Sequence, residues 1–187
     1  LIARGIGLDS RIGPRFLNPG IGWGGSCFGK DTAALVATAR DYQLEMPIVQ
    51  AARDVNYRQR TWVVDALQES LKILKGRHIT LLGFSFKPDT DDLRDAPSLD
   101  IARLLVQRGA VVRAHDPVAL ANAQRLYPDL GVRYCQDVSE ALQGAEGIVL
   151  VTEWPLYREL EWEKIPPVLV VDGRNFLDRE KLKGLGF

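Results

Sequence analysis

The chain has 187 residues, more than one minimal module needs at roughly 150 residues per domain, and with 46% hydrophobic and 26% charged residues it is neither disordered nor collagen-like. Lys plus Arg numbers 24 and Asp plus Glu 24, so no surplus positive charge is available to hold a phosphate polymer by counterion release, and nucleic acid is not an expected partner. No apolar run approaches the roughly 20 residues that span a bilayer, so no membrane partner is expected either.

The segment Leu1 to Leu8 has no initiator Met and too short an apolar stretch for a signal peptide, so the chain is expected to begin partway through a longer protein. Residues 31–45 and 48–75 read as helices separated by Pro47, because Ile48, Ala51, Ala52, Val55, Trp62, Val63, Ala66, Leu67 and Leu71 recur at three- and four-residue steps. The second helix should end at Lys75-Gly76, and its length suggests a dimer surface or an interdomain spine. From Arg77 the period changes. Strands are predicted at 78–84, 110–116, 131–135, 147–151 and 168–172, with helices at 98–109, 118–126 and 138–142 between them. Short continuous apolar strands alternating with helices imply an α/β parallel sheet covered on both faces. The expected architecture is a helical dimerisation segment, 1–75, followed by a Rossmann-like domain, 76–187.

Gly20-Ile21-Gly22-Trp23-Gly24-Gly25 matches G-x-G-x-x-G literally but follows Pro14-Arg15-Phe16-Leu17-Asn18-Pro19, which is no strand, so it is not a dinucleotide fingerprint. It is a loop, either a flexible connector or a stretch that lets backbone approach a ligand. Ser26-Cys27-Phe28-Gly29-Lys30-Asp31 then sets a thiol just before a helix start, where backbone N–H groups and the Lys30 ammonium favour thiolate. That context favours a nucleophilic Cys27 over a small buried hydrophobe, whereas Cys135, at the end of an apolar strand, reads as core. Taken alone, Asp31 would be a first-turn acid and Lys30 a surface lysine. The two cysteines have no C-x-x-C or Cys/His spacing, which gives no metal site and fits a reducing cytoplasm.

Phe84 to Pro97 leaves the first strand at the carboxyl edge, where open parallel sheets bind ligands, and contains no glycine-rich turn. Lys87 and Arg94 either offer charge to phosphates or are neutralised in a solvated loop. Arg174, in Asp172-Gly173-Arg174-Asn175, reads as a crevice residue shared with Lys87 or as an exposed turn. His78 and His115 have no partner at catalytic spacing, and Asp116-Pro117 reads as a turn in preference to a ribose-binding acid.

Arg11-Ile12-Gly13, Phe16-Leu17, the run from Gly20 to Asp31, the run from Gly83 to Arg94 and Asp172-Gly173-Arg174 together resemble the UDP-glucose 6-dehydrogenase family over essentially the whole chain. The resemblance implies oxidation of the C6 alcohol of a nucleotide sugar to a carboxylate with two NAD molecules, UDP-glucose giving UDP-glucuronate. Relatives that oxidise GDP-mannose or UDP-N-acetylmannosamine, and a noncatalytic nucleotide-sugar binding module, are the alternatives. It casts Cys27 as the thiolate that forms a thiohemiacetal and then a thioester, with Asp31 assisting the hydrolytic water. Arg11, Phe16, Leu17, Gly24, Phe86, Lys87 and Arg174 become substrate-binding, Arg11 by reaching into a neighbouring subunit, and Lys30 and Arg94 become cofactor-binding. A homodimer or larger homo-oligomer in the cytoplasm is implied, with most of the NAD site on an N-terminal domain outside this sequence, so that this chain alone should be inactive. Trp23 stands where relatives commonly carry Phe or Tyr.

Overall fold

Short apolar runs set between helical segments are satisfied only where both faces of a sheet are covered, and the computed structural model, which describes residues 1–187, is built this way. Strands β1 (His78–Leu82), β2 (Val111–His115), β3 (Val132–Tyr134), β4 (Gly147–Leu150) and β5 (Leu169–Asp172) form one parallel sheet in the order β3-β2-β1-β4-β5. Helices α1 (Ile2–Gly7), α2 (Phe28–Asp41) and α3 (Pro47–Leu71) precede the sheet. Helices α4 (Pro97–Gln107), α5 (Leu120–Leu126), α6 (Val138–Leu142) and α7 (Pro155–Arg158) and a 3₁₀ turn at Trp162–Lys164 lie between strands, and α8 (Arg179–Gly184) closes the chain. The α/β class with a helical segment ahead of the sheet is as the sequence predicts. The order reverses between β1 and β4, which makes their carboxyl ends the topological switch point.

Strand periodicity divides the apolar residues between two cores. Ile79 and Leu81 of β1 and Val149 of β4 join the face covered by α3 and α4, while Leu82, Ile148 and Leu150 turn to the opposite face with Trp154, Tyr157, Trp162 and Leu182. Val63, Val64 and Leu67 belong to the first core, so the second half of α3 packs as part of the sheet unit.

Helix α3 ends earlier than its periodicity suggests. Lys72 has a positive φ of 66 with ψ −50, in a tight turn closed by the Ile73 amide donating to Leu71 O at 2.8 Å, and Leu74 turns inward to the core before Gly76 at φ 78 leads into β1. Helix α2 begins earlier than expected, at Phe28, with Cys27 as its N-cap. No helix is long and apolar enough to cross a membrane.

Candidate active site

The glycine-rich segment lies between α3 and the loop that leaves β1. A Cβ at Gly24 would stand 2.6 Å from the Asp95 carbonyl and 2.9 Å from Phe86 Cβ, and one at Gly25, where φ is +91, would stand 3.0 Å from the Phe86 ring. Only glycine permits this approach, so the segment is a close-packed ribbon and the connector alternative does not apply. The Gly25 amide donates to Arg94 O at 2.8 Å, and the Trp23 ring meets Phe28 edge to face at 4.9 Å, bracing the turn that presents Cys27.

Cys27 is exposed, with Ser26 Oγ 3.6 Å from its sulfur. Its carbonyl accepts the Asp31 amide at 2.8 Å, which places Asp31 one helical turn above the thiol. The Lys30 ammonium lies 3.9 Å from Asp31 Oδ1, so its ion pair is with that carboxylate and not with the sulfur. The hydrogen bond from Arg94 to Asp92 and the Asp92 charge hold the Arg94 pKa above the ordinary value. The fork of Arg94 grips Asp92 at 2.6 and 3.0 Å and correspondingly holds the Asp92 carboxyl below its usual range. Lys87 is exposed, with its ammonium 5.5 Å from the centre of the Phe86 ring.

Arg174 is not an exposed turn residue. Its Nε donates to Val151 O at 2.7 Å and lies 3.2 Å from Glu153 Oε2, and burial lowers its pKa against the opposing Glu153 charge. Its Nη1 rests against Gly20, 2.8 Å from where a Cβ would be. Cys27, Gly24, Phe86, Lys87, Arg94 and Arg174 are therefore gathered along the carboxyl edge by one ribbon that starts at Gly20 and ends at the thiol.

Three predicted residues stand apart from this cluster within the single chain. Arg11 is exposed and closes on its own neighbour Asp9 at 2.6 Å. Phe16, at φ 60, is fully exposed, and Leu17 lies over Gly7. Several residues that shape the site were not singled out in the sequence. Glu153 pairs with Arg174, and its signal is an acid three residues past the end of β4, at the carboxyl edge of the sheet. Asn56 and Arg60 are buried polar residues on α3, where helical periodicity hid them among surface positions.

Asp116 forms a turn, as expected, and does more. Its buried Oδ2 accepts the amides of Phe84 at 2.7 Å and Ser85 at 3.0 Å, Ser85 Oγ at 3.1 Å and Trp154 Nε1 at 3.1 Å, while Oδ1 accepts the amides of Val118 and Ala119. The donors that would take a pyrophosphate after the first strand are thus occupied by a protein carboxylate, and Thr152 fills the space beside Gly83. The edge between β1 and α4 does not fit the pyrophosphate of NAD.

A parallel sheet whose switch-point edge carries cationic side chains, with an exposed thiol at the head of α2 brought to that edge by a glycine ribbon, is the arrangement of a nucleotide-binding α/β unit. The sequence matches the UDP binding domain of the UDP-glucose/GDP-mannose dehydrogenase family over residues 80–179 and the central domain of that family over residues 1–58. It is 40% identical over 190 residues to the UDP-glucose 6-dehydrogenase TuaD of Bacillus subtilis, a match that takes in 100% of this chain and 41% of that protein. It is also 40% identical over 197 residues to the UDP-glucose 6-dehydrogenase of Pseudomonas aeruginosa, covering 100% of this chain and 43% of that protein. The fold superposes on a UDP-glucose dehydrogenase from Pyrobaculum islandicum with a TM-score of 0.89 at 40% identity, over 97% of this chain and 40% of that one. It superposes on a GDP-mannose dehydrogenase from Pseudomonas aeruginosa with a TM-score of 0.78 at 25% identity, over 91% of this chain and 40% of that one. The chain belongs to the UDP-glucose/GDP-mannose dehydrogenase family and spans less than half the length of these relatives.

Proposed function

We propose that this chain provides the nucleotide-sugar seat and the reactive thiol of an NAD-dependent oxidoreductase that converts UDP-glucose to UDP-glucuronate. The observation that carries the reading is the placement of Cys27 at the head of α2, on the ribbon packed against Phe86 and Arg94. Phe86, Lys87 and Arg174 would hold the nucleotide diphosphate, with charge-assisted hydrogen bonds from the two cations. Residues 1–75 would form the thiol-bearing part and 76–187 the nucleotide-binding part.

Oxidation of the C6 alcohol to a carboxylate removes two hydrides, and NAD is the acceptor proposed for both, held largely by the part of such a protein that this chain does not cover. Lys30 and Arg94, exposed beside Cys27, are the residues here that would face it. At the aldehyde level the Cys27 sulfur attacks C6, a C–S bond forms, and the carbonyl oxygen takes a proton to give a thiohemiacetal. As C6 gives up the second hydride, the hydroxyl proton leaves to solvent and the C–O bond becomes the carbonyl of a thioester. Water then attacks the carbonyl carbon, Asp31 accepts one of its protons, and the C–S bond breaks to return the thiolate; the carboxylic acid so formed loses its remaining proton to solvent and leaves as the carboxylate. Arg11, Phe16 and Leu17 would serve the substrate in an assembly of copies, for which Ile2, Ile6, Leu35, Ile48 and Val55 offer exposed apolar surface. A reducing cytoplasm would keep Cys27 as a thiol.

Alkylation near neutral pH with peptide mapping tests the assignment. Cys27 is expected to label first, because the Cys135 thiol is fully buried and burial pushes its pKa up. Preferential labelling of Cys135 in the folded chain would remove Cys27 from the role of nucleophile.

A further inference from the structure

Helix α3 presents three polar side chains at helical spacing, Arg53, Asn56 and Arg60, and all three reach the segment that carries Cys27. Arg53 Nη1 donates to Gly29 O at 2.5 Å and to Thr32 Oγ1 at 2.6 Å, in the first turn of α2. Asn56 Oδ1 accepts the Trp23 amide at 2.6 Å. Arg60 Nη2 donates to Trp23 O at 2.8 Å, so both backbone polar groups of Trp23 are held by α3.

Arg60 does more than hold the ribbon. Its Nη1 donates to Asp95 Oδ1 at 2.8 Å and Asp100 Oδ2 at 2.5 Å, with the guanidinium stacked 4.9 Å from the centre of the Tyr57 ring. Asp95 ends the loop that carries Phe86, Lys87 and Arg94, and Asp100 sits in the first turn of α4. One guanidinium, with its side chain only 3% exposed, therefore ties together the thiol ribbon, the nucleotide loop and α4. Burial disfavours its charge, but hydrogen bonds to Asp95 and Asp100 outweigh that effect and keep its pKa above the ordinary value. Its Nε has no partner, so the two terminal nitrogens alone fix its orientation. A buried ion cluster is a poor way to gain stability, since well-packed apolar residues of similar volume serve as well. What the cluster supplies is register between segments far apart in sequence.

We propose that Arg60 is a positioning residue for the Cys27 thiol, fixing the Gly20–Cys27 ribbon against the Phe86–Asp95 loop so that a sugar nucleotide seated on the loop lays its sugar over the sulfur. This rests on the reading of Cys27 and of the nucleotide seat given above. Arg60 makes no hydrogen bond to Lys87 or Arg174, so its loss separates nucleotide affinity from thiol placement.

The test combines calorimetric titration of UDP with the rate of Cys27 alkylation in the presence and absence of saturating UDP-glucose. In the parent chain UDP-glucose is expected to slow labelling by at least about tenfold. In Arg60→Lys, whose single nitrogen cannot reproduce the planar fork that spreads these contacts over Nη1 and Nη2, UDP affinity should stay within about threefold of the parent while protection by UDP-glucose falls below about threefold. Asp95→Ala, which removes one anchor and leaves the guanidinium on Trp23 and Asp100, should show the same split and serves if Arg60→Lys fails to fold. Arg103→Ala, which deletes only the outward 2.9 Å contact to Asp100, should match the parent in both measurements. Affinity and protection falling together would make Arg60 merely structural, and protection retained in the folded variants would equally overturn the proposal. Absence of protection in the parent chain would instead remove the site reading itself, and this inference with it.

Discussion

The Arg174 guanidinium lies against the bare Cα of Gly20, with Nη1 2.8 Å from the position a Cβ would occupy, while the carbonyl of Asp95 is 2.6 Å from the corresponding position at Gly24. The two contacts differ in what can give way. Gly20→Ala meets the far end of a flexible side chain, so thermal unfolding should show a loss below about 1 kcal/mol, while UDP affinity falls as Arg174 is displaced. Gly24→Ala meets backbone and should cost about 1 to 3 kcal/mol of stability. Equal stability losses in the two variants would contradict this account of the ribbon.

Removing either cation of the seat should weaken UDP binding. Lys87→Ala and Arg174→Ala are each expected to lose about 1.5 to 3 kcal/mol, the range of a hydrogen bond to a charged group. Calorimetric titration reads the loss directly. Arg174→Ala should also lower the melting temperature, because its Nε bond to Val151 O and the Glu153 charge are both left without a partner, whereas exposed Lys87 should not.

The apolar architecture was legible in the sequence because continuous apolar runs such as 147–150, too short for a buried helix, fit the strands of a doubly covered sheet, and the α/β class follows from their alternation with helices. The ribbon was legible as a loop but not as a packed one, since glycine spacing does not say what approaches it. Asn56 and Arg60 were hidden because a buried polar residue on a long helix has the same spacing as a solvent-facing one; its partners Trp23, Asp95 and Asp100 come from elsewhere in the chain. Helix α8, capped by Asp178 through the amides of Glu180 and Lys181, carried a readable start signal in Asp178-Arg179-Glu180. Its few apolar positions gave no helical period.

His115 gives the fold a pH dependence of definite sign. Burial lowers its pKa below the ordinary 6.5, against the charges of Asp116 and Asp137, and its Nδ1 lies 3.0 Å from the Tyr157 hydroxyl, which donates to His115 O. The unfolded chain therefore takes up the proton first as pH falls. The stabilisation is complete above 6.5 and declines as pH drops from there towards the folded value. Urea unfolding across that window should show stability falling with acid, and His115→Gln should flatten the slope. Asp9, Asp92, Asp137, Glu146 and Glu163, whose pKa values are lowered from ordinary values of 3.8 to 4.5, add their own loss of stability as pH falls below that range.

The purified chain, given UDP-glucose and NAD, should form no sustained NADH absorbance. The Phe84 and Ser85 amides are already bound to Asp116, so nothing at this edge holds a nicotinamide about 3 to 3.5 Å from the sugar carbon, and losing that positioning forfeits roughly 7 to 11 kcal/mol of barrier lowering. UDP-glucose-dependent NADH formation would show that hydride transfer is organised within these residues after all.

Between the Ile21 side chain, which packs into the core, and the Trp23 ring, which meets Phe28, the glycines leave bare backbone with little shape of its own. Its course from Gly20 to Gly25 is the complement of the surfaces that flank it, Asn56 against Gly22 on one side, Phe86 and Asp95 against Gly24 on the other, and Arg174 against Gly20. The coordinates of the sulfur are therefore encoded mainly outside the segment that carries it. Drift in any of these walls would move the sulfur while leaving every letter from Gly20 to Cys27 unchanged, so an intact motif alone does not guarantee a correctly placed thiol.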